Sequence, residues 1–69
     1  MPKAREVYRA LVRDGWVLVR RPGGPHRRPR KGDKEETWAH HDSEDLGNPM
    51  IARIARRFGY TLEQFRRLL

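Results

Sequence analysis

His26 is one of three histidines whose type suits proton transfer. It stands in Gly23-Gly24-Pro25-His26-Arg27-Arg28, and an imidazole, titrating near neutral pH, can both take and give a proton. Arg20, Arg27 and Arg28 lie close to it in sequence. Guanidinium groups grip phosphate two bonds at a time, so this neighbourhood points to a phosphate-bearing substrate. The plain alternative is a solvated loop histidine. The other two histidines fall in His40-His41-Asp42. Adjacent strand residues face opposite ways, so the pair does not readily share an ion, and no metal site is expected. His41 is a candidate helper to His26, as acid or orienting group; its plain reading is a solvated strand end.

The chain has 69 residues and no Cys, which excludes a disulfide scaffold, a thiolate nucleophile and a zinc ribbon. A domain this small buries only about 60% of its unfolded surface, so a two-domain cofactor enzyme is excluded and no cofactor is expected. No apolar run approaches the roughly 20 residues of a membrane span. The opening MPKAREVYRALV has no signal-like apolar stretch, so a cytoplasmic protein without membrane contact is expected. Lys plus Arg number 16 against 9 acidic residues, a formal charge of +7. Thirteen of the 16 are Arg, which suits a polyanion such as nucleic acid; a genome-wide preference for Arg is the bland explanation. Seven cations and no aromatic lie between Arg20 and Lys34. Arg20, Arg21, Arg27, Arg28, Arg30 and Lys31 are therefore candidate phosphate contacts, reading RNA by backbone and shape instead of base stacking. Six of the nine acidic residues lie from Asp33 to Asp45, where they neutralise part of that charge.

Several elements must position these groups. Ala4, Val7, Tyr8, Leu11 and Val12 form one apolar helical stripe, with Pro2 in the first turn and Gly15 past the end. Trp16 to Arg20 reads as a strand. Arg21 to Pro25 reads as a break in regular structure. A polar stretch from His26 to Lys34 follows, with Gly32-Asp33 as a hairpin tip. Pro29 predicts that any strand there is an edge strand or interrupted. Glu35 to His41 reads as the returning strand, with Thr37, Ala39 and His41 on one face and Trp38 and His40 on the other. Asn48 reads as an N-cap before Pro49, opening a helix with Ile51, Ile54, Ala55 and Phe58 inward and Gly59 at its end. Thr61 and Gln64 predict a capping box, Tyr60 and Phe65 a hydrophobic staple. The last helix, Leu62 to Leu69, is predicted to turn Phe65, Leu68 and Leu69 inward. Trp16 and Trp38 read as core residues. The class is α+β, with a three-stranded antiparallel sheet on two helices and a short C-terminal helix.

Gly15-Trp16 at the start of a strand, then Arg20 and Gly24-Pro25-His26, resembles the G-W…R…G-S-H pattern of the HicA (YcfA-like) toxins. Thr37-Trp38-Ala39-His40-His41 sits where that family has a T-V-P-x-H strand end. Asp45-Leu46-Gly47, Ile51, Ile54, Gly59-Tyr60-Thr61, Glu63, Phe65 and Leu68-Leu69 continue the likeness, so that it covers nearly the whole chain as one domain over residues 1–69. The resemblance implies an α-β-β-β-α fold like that of double-stranded-RNA-binding domains. It also implies an mRNA-cleaving ribonuclease acting as a toxin, a silencing HicB-like antitoxin, and a catalytic role for His26. This chain departs from the pattern at Pro25, which replaces Ser, and at Ala39, which replaces Pro; it also lacks the aromatic often found after the His.

RNA needs no metal for cleavage, because its own 2′-hydroxyl is the nucleophile. A base, an acid and cations around the phosphate suffice. Two further readings stand beside this one. The first is a non-catalytic RNA-binding module of the same fold. The second is a helix-turn-helix DNA binder through Ala55 to Thr61, with Glu63, Gln64, Arg66 and Arg67 on base edges. Its final helix is short for recognition, and the strands would have no role in it. Oligomeric state is not legible here.

Overall fold

Two glycines stop the two longer helices in the same way. The computed structural model describes residues 1–69, the side chain of Pro22 excepted. Helix α1 spans Ala4–Arg13. Past it, Gly15 adopts φ +104°, its N–H bonds Val12 O at 3.0 Å and the Trp16 N–H bonds Leu11 O at 3.1 Å. Helix α2 spans Asn48–Arg57. There Gly59 (φ +88°) donates to Arg56 O at 3.2 Å and Tyr60 to Ala55 O at 2.8 Å. Both ends are Schellman motifs, which satisfy terminal carbonyls through a left-handed residue only Gly adopts readily. Helix α3, Leu62–Leu68, opens on the expected capping box of Thr61 and Gln64, and the Tyr60 and Phe65 rings sit 5.4 Å apart as a staple.

Strand β1 (Val17–Gly23), β2 (His26–Lys31), β3 (Lys34–Glu35) and β4 (Trp38–Ala39) complete the chain order. β2 is central, pairing antiparallel with β1 on one side and with β3 and β4 on the other. β3 and β4 hold one register, Lys31 facing Lys34, Arg30 facing Glu35, Arg27 facing Trp38 and His26 facing Ala39. They are one returning strand with a gap at Glu36–Thr37. The cause lies opposite: Glu36 N–H donates to Pro29 O at 3.1 Å, but Pro29 has no N–H to return. The result is the expected α+β arrangement of helix, three antiparallel strands with the third split, and two further helices.

Some expectations are corrected. Arg21 to Pro25 do not all break the structure: β1 continues to Gly23, and only Gly24-Pro25 make the turn. Gly24 at φ +56° followed by the fixed negative φ of Pro25 has the sign pattern of a type II′ hairpin turn. Pro29 neither breaks its strand nor puts it at an edge; its missing donor interrupts the neighbour instead. The returning strand is regular at Lys34–Glu35 and Trp38–Ala39, not over the whole of Glu35 to His41. Gly47, not Asn48, takes the N-cap of α2. Pro2 lies before α1, its carbonyl accepting from Leu46 N–H at 2.9 Å. Val12 and Leu69, expected inward, are exposed, and the buried stripe of α1 is turned toward its other flank, where it takes in Ala10.

The helices cover one face of the sheet. Val7, Leu11, Trp16, Trp38, Leu46, Ile51, Ile54, Phe58 and Phe65 form a single buried cluster. Trp16 and Trp38 anchor it, each against Phe58 at ring separations of 4.8 and 6.3 Å. In a domain with so little interior, each large aromatic is a sizeable share of the buried apolar area. Among the described residues no helix is long and apolar enough to cross a membrane.

Candidate functional site

β2 has one apolar residue, Pro29, and it is buried. It marks the inner face, so Arg27 and Lys31 also point toward the helices while His26, Arg28 and Arg30 point outward. The two sets meet different surroundings. The Arg27 guanidinium lies 4.7 Å from the centre of the Tyr8 ring and pairs with Asp42 at 2.9 Å. Lys31 bonds Asp14 at 2.8 Å and lies 5.9 Å from the Tyr60 ring centre. Arg28, outward, is held by Glu35 at 2.9 Å and by the Thr37 hydroxyl. Arg30 is exposed and has no ion pair among the described residues.

β1 reaches the same outer face through a bulge. Leu18 faces Pro29, but the next pair is Arg20 with Arg28, so Val19 is an extra residue. Without it Arg20 would face Arg27 and point inward; the bulge re-aims it outward beside Arg28. A second irregularity precedes the pair Gly23–His26, and between the two Arg21 falls on the helix side. There its charge, with that of Arg27, opposes the burial that raises the Tyr8 phenol above its ordinary value. Arg20 has no ion pair among the described residues, and two like charges side by side across strands repel unless an anion bridges them.

His26 is the first residue of β2, exposed, directly after the Gly24-Pro25 turn, between Gly23 and Ala39. Both flanking residues are small, which leaves the ring open to a large ligand. Arg20 is its diagonal neighbour, at a Cα spacing of about 7–8 Å in antiparallel sheets, within span of one phosphodiester. His41 is also exposed but lies past the end of β4, and no hydrogen bond joins it to His26 among the described residues. His40 points the other way, its ring 5.0 Å from that of Trp38 and its Nδ1 2.8 Å from Glu44. The six cations predicted as one phosphate-contacting set thus divide: Arg20, Arg28 and Arg30 share the His26 face, while Arg21, Arg27 and Lys31 do not.

The site is held by contacts that no spacing in the sequence announces. Trp16 Nε1–H donates to the Tyr60 hydroxyl at 2.9 Å, and that hydroxyl donates to Asp14. Asp14 also receives Lys31, so the end of α1, the end of β2 and the link to α3 meet at one carboxylate. The Lys31 hydrogen bond, then that of Tyr60, holds Asp14 below the usual carboxylate range, and the same bond raises Lys31. At the other end of α1, Lys3 pairs with Asp45 at 2.8 Å and lowers it. The end of β2 is therefore tied to the end of α1 through Asp14, the loop after β4 is tied to the start of α1 through Asp45, and the outer face of the sheet is uncovered.

In layout this is an α+β domain of the double-stranded-RNA-binding type: one helix, an antiparallel three-stranded sheet, then the closing helices. The family model described as "HicA toxin of bacterial toxin-antitoxin" matches residues 4–60. The chain belongs to that family, and the toxin role in a toxin–antitoxin pair goes with it. Comparison with curated proteins finds no match, and neither does comparison with solved structures.

Proposed function

We propose that this toxin is an RNA-binding endoribonuclease that cleaves mRNA without a metal, with His26 as its proton-transfer residue and a HicB-like antitoxin as its restraint. One observation supports this most: the exposed His26 ring shares an open sheet face with Arg20, Arg28 and Arg30. A polyribonucleotide laid on that face meets cations for its phosphates and an imidazole at the hairpin end. His26 takes the proton from a ribose 2′-hydroxyl, whose oxygen attacks the adjacent phosphorus. The bond from phosphorus to the 5′-oxygen breaks, leaving a 2′,3′-cyclic phosphate and a 5′-hydroxyl. The leaving oxygen takes its proton from a second acid, for which His41 is the candidate, or from water. Arg20 and Arg30 stabilise the charge that gathers on the phosphate. Arg28, partly neutralised by Glu35, fixes the strand beside it.

Growth after induction of the native gene and of His26→Ala, with both proteins detected at equal level, tests the toxin chemistry. The native gene arrests growth and the variant does not. Purified protein then cleaves RNA in the presence of EDTA and leaves cyclic phosphate ends. Equal growth of the two strains, or cleavage that persists in His26→Ala, refutes the assignment.

A further inference from the structure

The outer edge of the returning strand is unpaired. Glu36 N–H bonds to β2, so by the alternation of an antiparallel ladder Glu36 and Trp38 turn their backbone groups toward β2, while Thr37 and Ala39 turn theirs away. β4 pairs with β2 alone. The N–H and C=O groups of Thr37 and Ala39 are therefore a ready template for another strand.

Beside that edge runs an open groove of about 720 Å³. Half-buried Met50, over the nearly covered edges of the core residues Trp38, Ile54 and Phe58, contributes its apolar lining, and Arg53, Arg56 and Arg57 of α2 contribute cations. None of these three arginines has an ion pair among the described residues. Glu36 is the acidic side chain in the lining, and His40 is engaged by Glu44. Free strand-forming groups, an apolar lining and a surplus of positive charge occur together.

We propose that this edge and groove receive an extended acidic segment of a partner protein, added to the sheet as a strand next to β4. Backbone pairing supplies affinity, and carboxylates on alternate residues meet Arg53, Arg56 and Arg57. A second copy of the chain is a poor occupant, since edge-to-edge pairing would bring two sets of these arginines together. RNA phosphates would engage the arginines but leave the strand edge and the apolar lining unused. The edge adjoins the His26 site through Ala39, the cross-strand partner of His26, but the pairing uses backbone groups on the far side of that strand and stands whether or not His26 cleaves RNA.

The test uses the 15N-labelled full chain, an N-acetylated, C-amidated peptide of alternating Glu and Val, and a matched peptide of alternating Lys and Val. The Glu–Val peptide is expected to shift the Thr37 and Ala39 amides and those around Arg53 and Arg57, and to bind at least about ten-fold more tightly than the Lys–Val peptide. Ala39→Pro removes one outward N–H at an edge position that tolerates proline, and weakens binding about ten-fold. Arg53→Glu with Arg57→Glu, on the exposed side of α2, abolishes the preference for the acidic peptide while the fold is unchanged. The proposal is overturned if the Glu–Val peptide does not bind, or shifts only the face of Arg20 and Arg28. It is also overturned if Ala39→Pro binds it unchanged, or if a short single-stranded RNA displaces it from Thr37 and Ala39.

Discussion

Replacing Arg20 and Arg27 one at a time by alanine tests the division of the arginines between two faces. Arg20 is exposed beside Arg28 on the His26 face. Arg27 lies over Tyr8 and against Asp42. On the proposed function, Arg20 neutralises one phosphate and Arg27 none. Each neutralised phosphate contributes about 0.7 for single strands, or about 0.9 for duplex, to the slope of log affinity against log salt. Arg20→Ala is therefore expected to flatten that slope by nearly one contact. Between 50 and 200 mM salt, the variant then loses about three-fold less affinity than the parent. Arg27→Ala is expected to leave the slope unchanged and to act on stability. Its cation–π contact is worth about 0.5–2 kcal/mol, and the Asp42 pair, with Asp42 half-exposed, adds at most about 1 kcal/mol. A loss near 1 kcal/mol lowers Tm by roughly 4–8 °C in a domain of this size. The assay is fluorescence anisotropy of a labelled RNA bound to a His26→Ala background across a salt series, beside thermal melts of each variant. Equal flattening of the slope by both variants, or none by Arg20→Ala, refutes the division.

Tyr60→Phe leaves the buried Trp16 Nε1–H without its acceptor, and a loss of about 1–3 kcal/mol is expected from thermal melts at neutral pH. Because the Asp14 carboxyl is held below its ordinary value, its contribution is fully present above the unfolded carboxylate range and is lost as pH falls through the lowered folded value. Asp45 behaves the same way at the other end of α1, so acid titration followed by amide exchange should release both ends of α1 before the buried sheet residues; unchanged protection there to full protonation contradicts this. Pro29→Val restores a donor facing Glu36, and a new slowly exchanging amide should appear at residue 29. The gain of about 0.5–1.5 kcal/mol is opposed by the lost proline stiffness of about 0.4–1 kcal/mol, so urea midpoints should scarcely move. A rapidly exchanging amide at position 29 shows that the gap in the third strand has another cause.

The sequence and the tertiary structure divide the account of this chain along a physical line. Local signals were enough for the helices. Apolar residues at helical spacing, Gly15 and Gly59 past the helix ends, and the Thr61–Gln64 box act through contacts a few residues apart, and they stand where their patterns imply apart from the exposed Val12 and Leu69. The two tryptophans were legible as core because a small domain has few other large apolar groups. The arrangement of the cationic strand was not legible in this way. In His26-Arg27-Arg28-Pro29-Arg30-Lys31 nearly every position is basic, so alternation carries no contrast between inside and outside. Pro29 alone marks the inner face, and in sequence its missing donor is a stronger signal than its apolar ring. Which cations face the helices depends on Tyr8 and Asp14, brought near only when α1 packs on the sheet. Where Arg20 points depends on one extra residue in β1, a matter of register with β2. Register is a long-range property: the types in Val17-Leu18-Val19-Arg20 are the same with or without the bulge, and pairing across the hairpin alone decides which way the guanidinium turns.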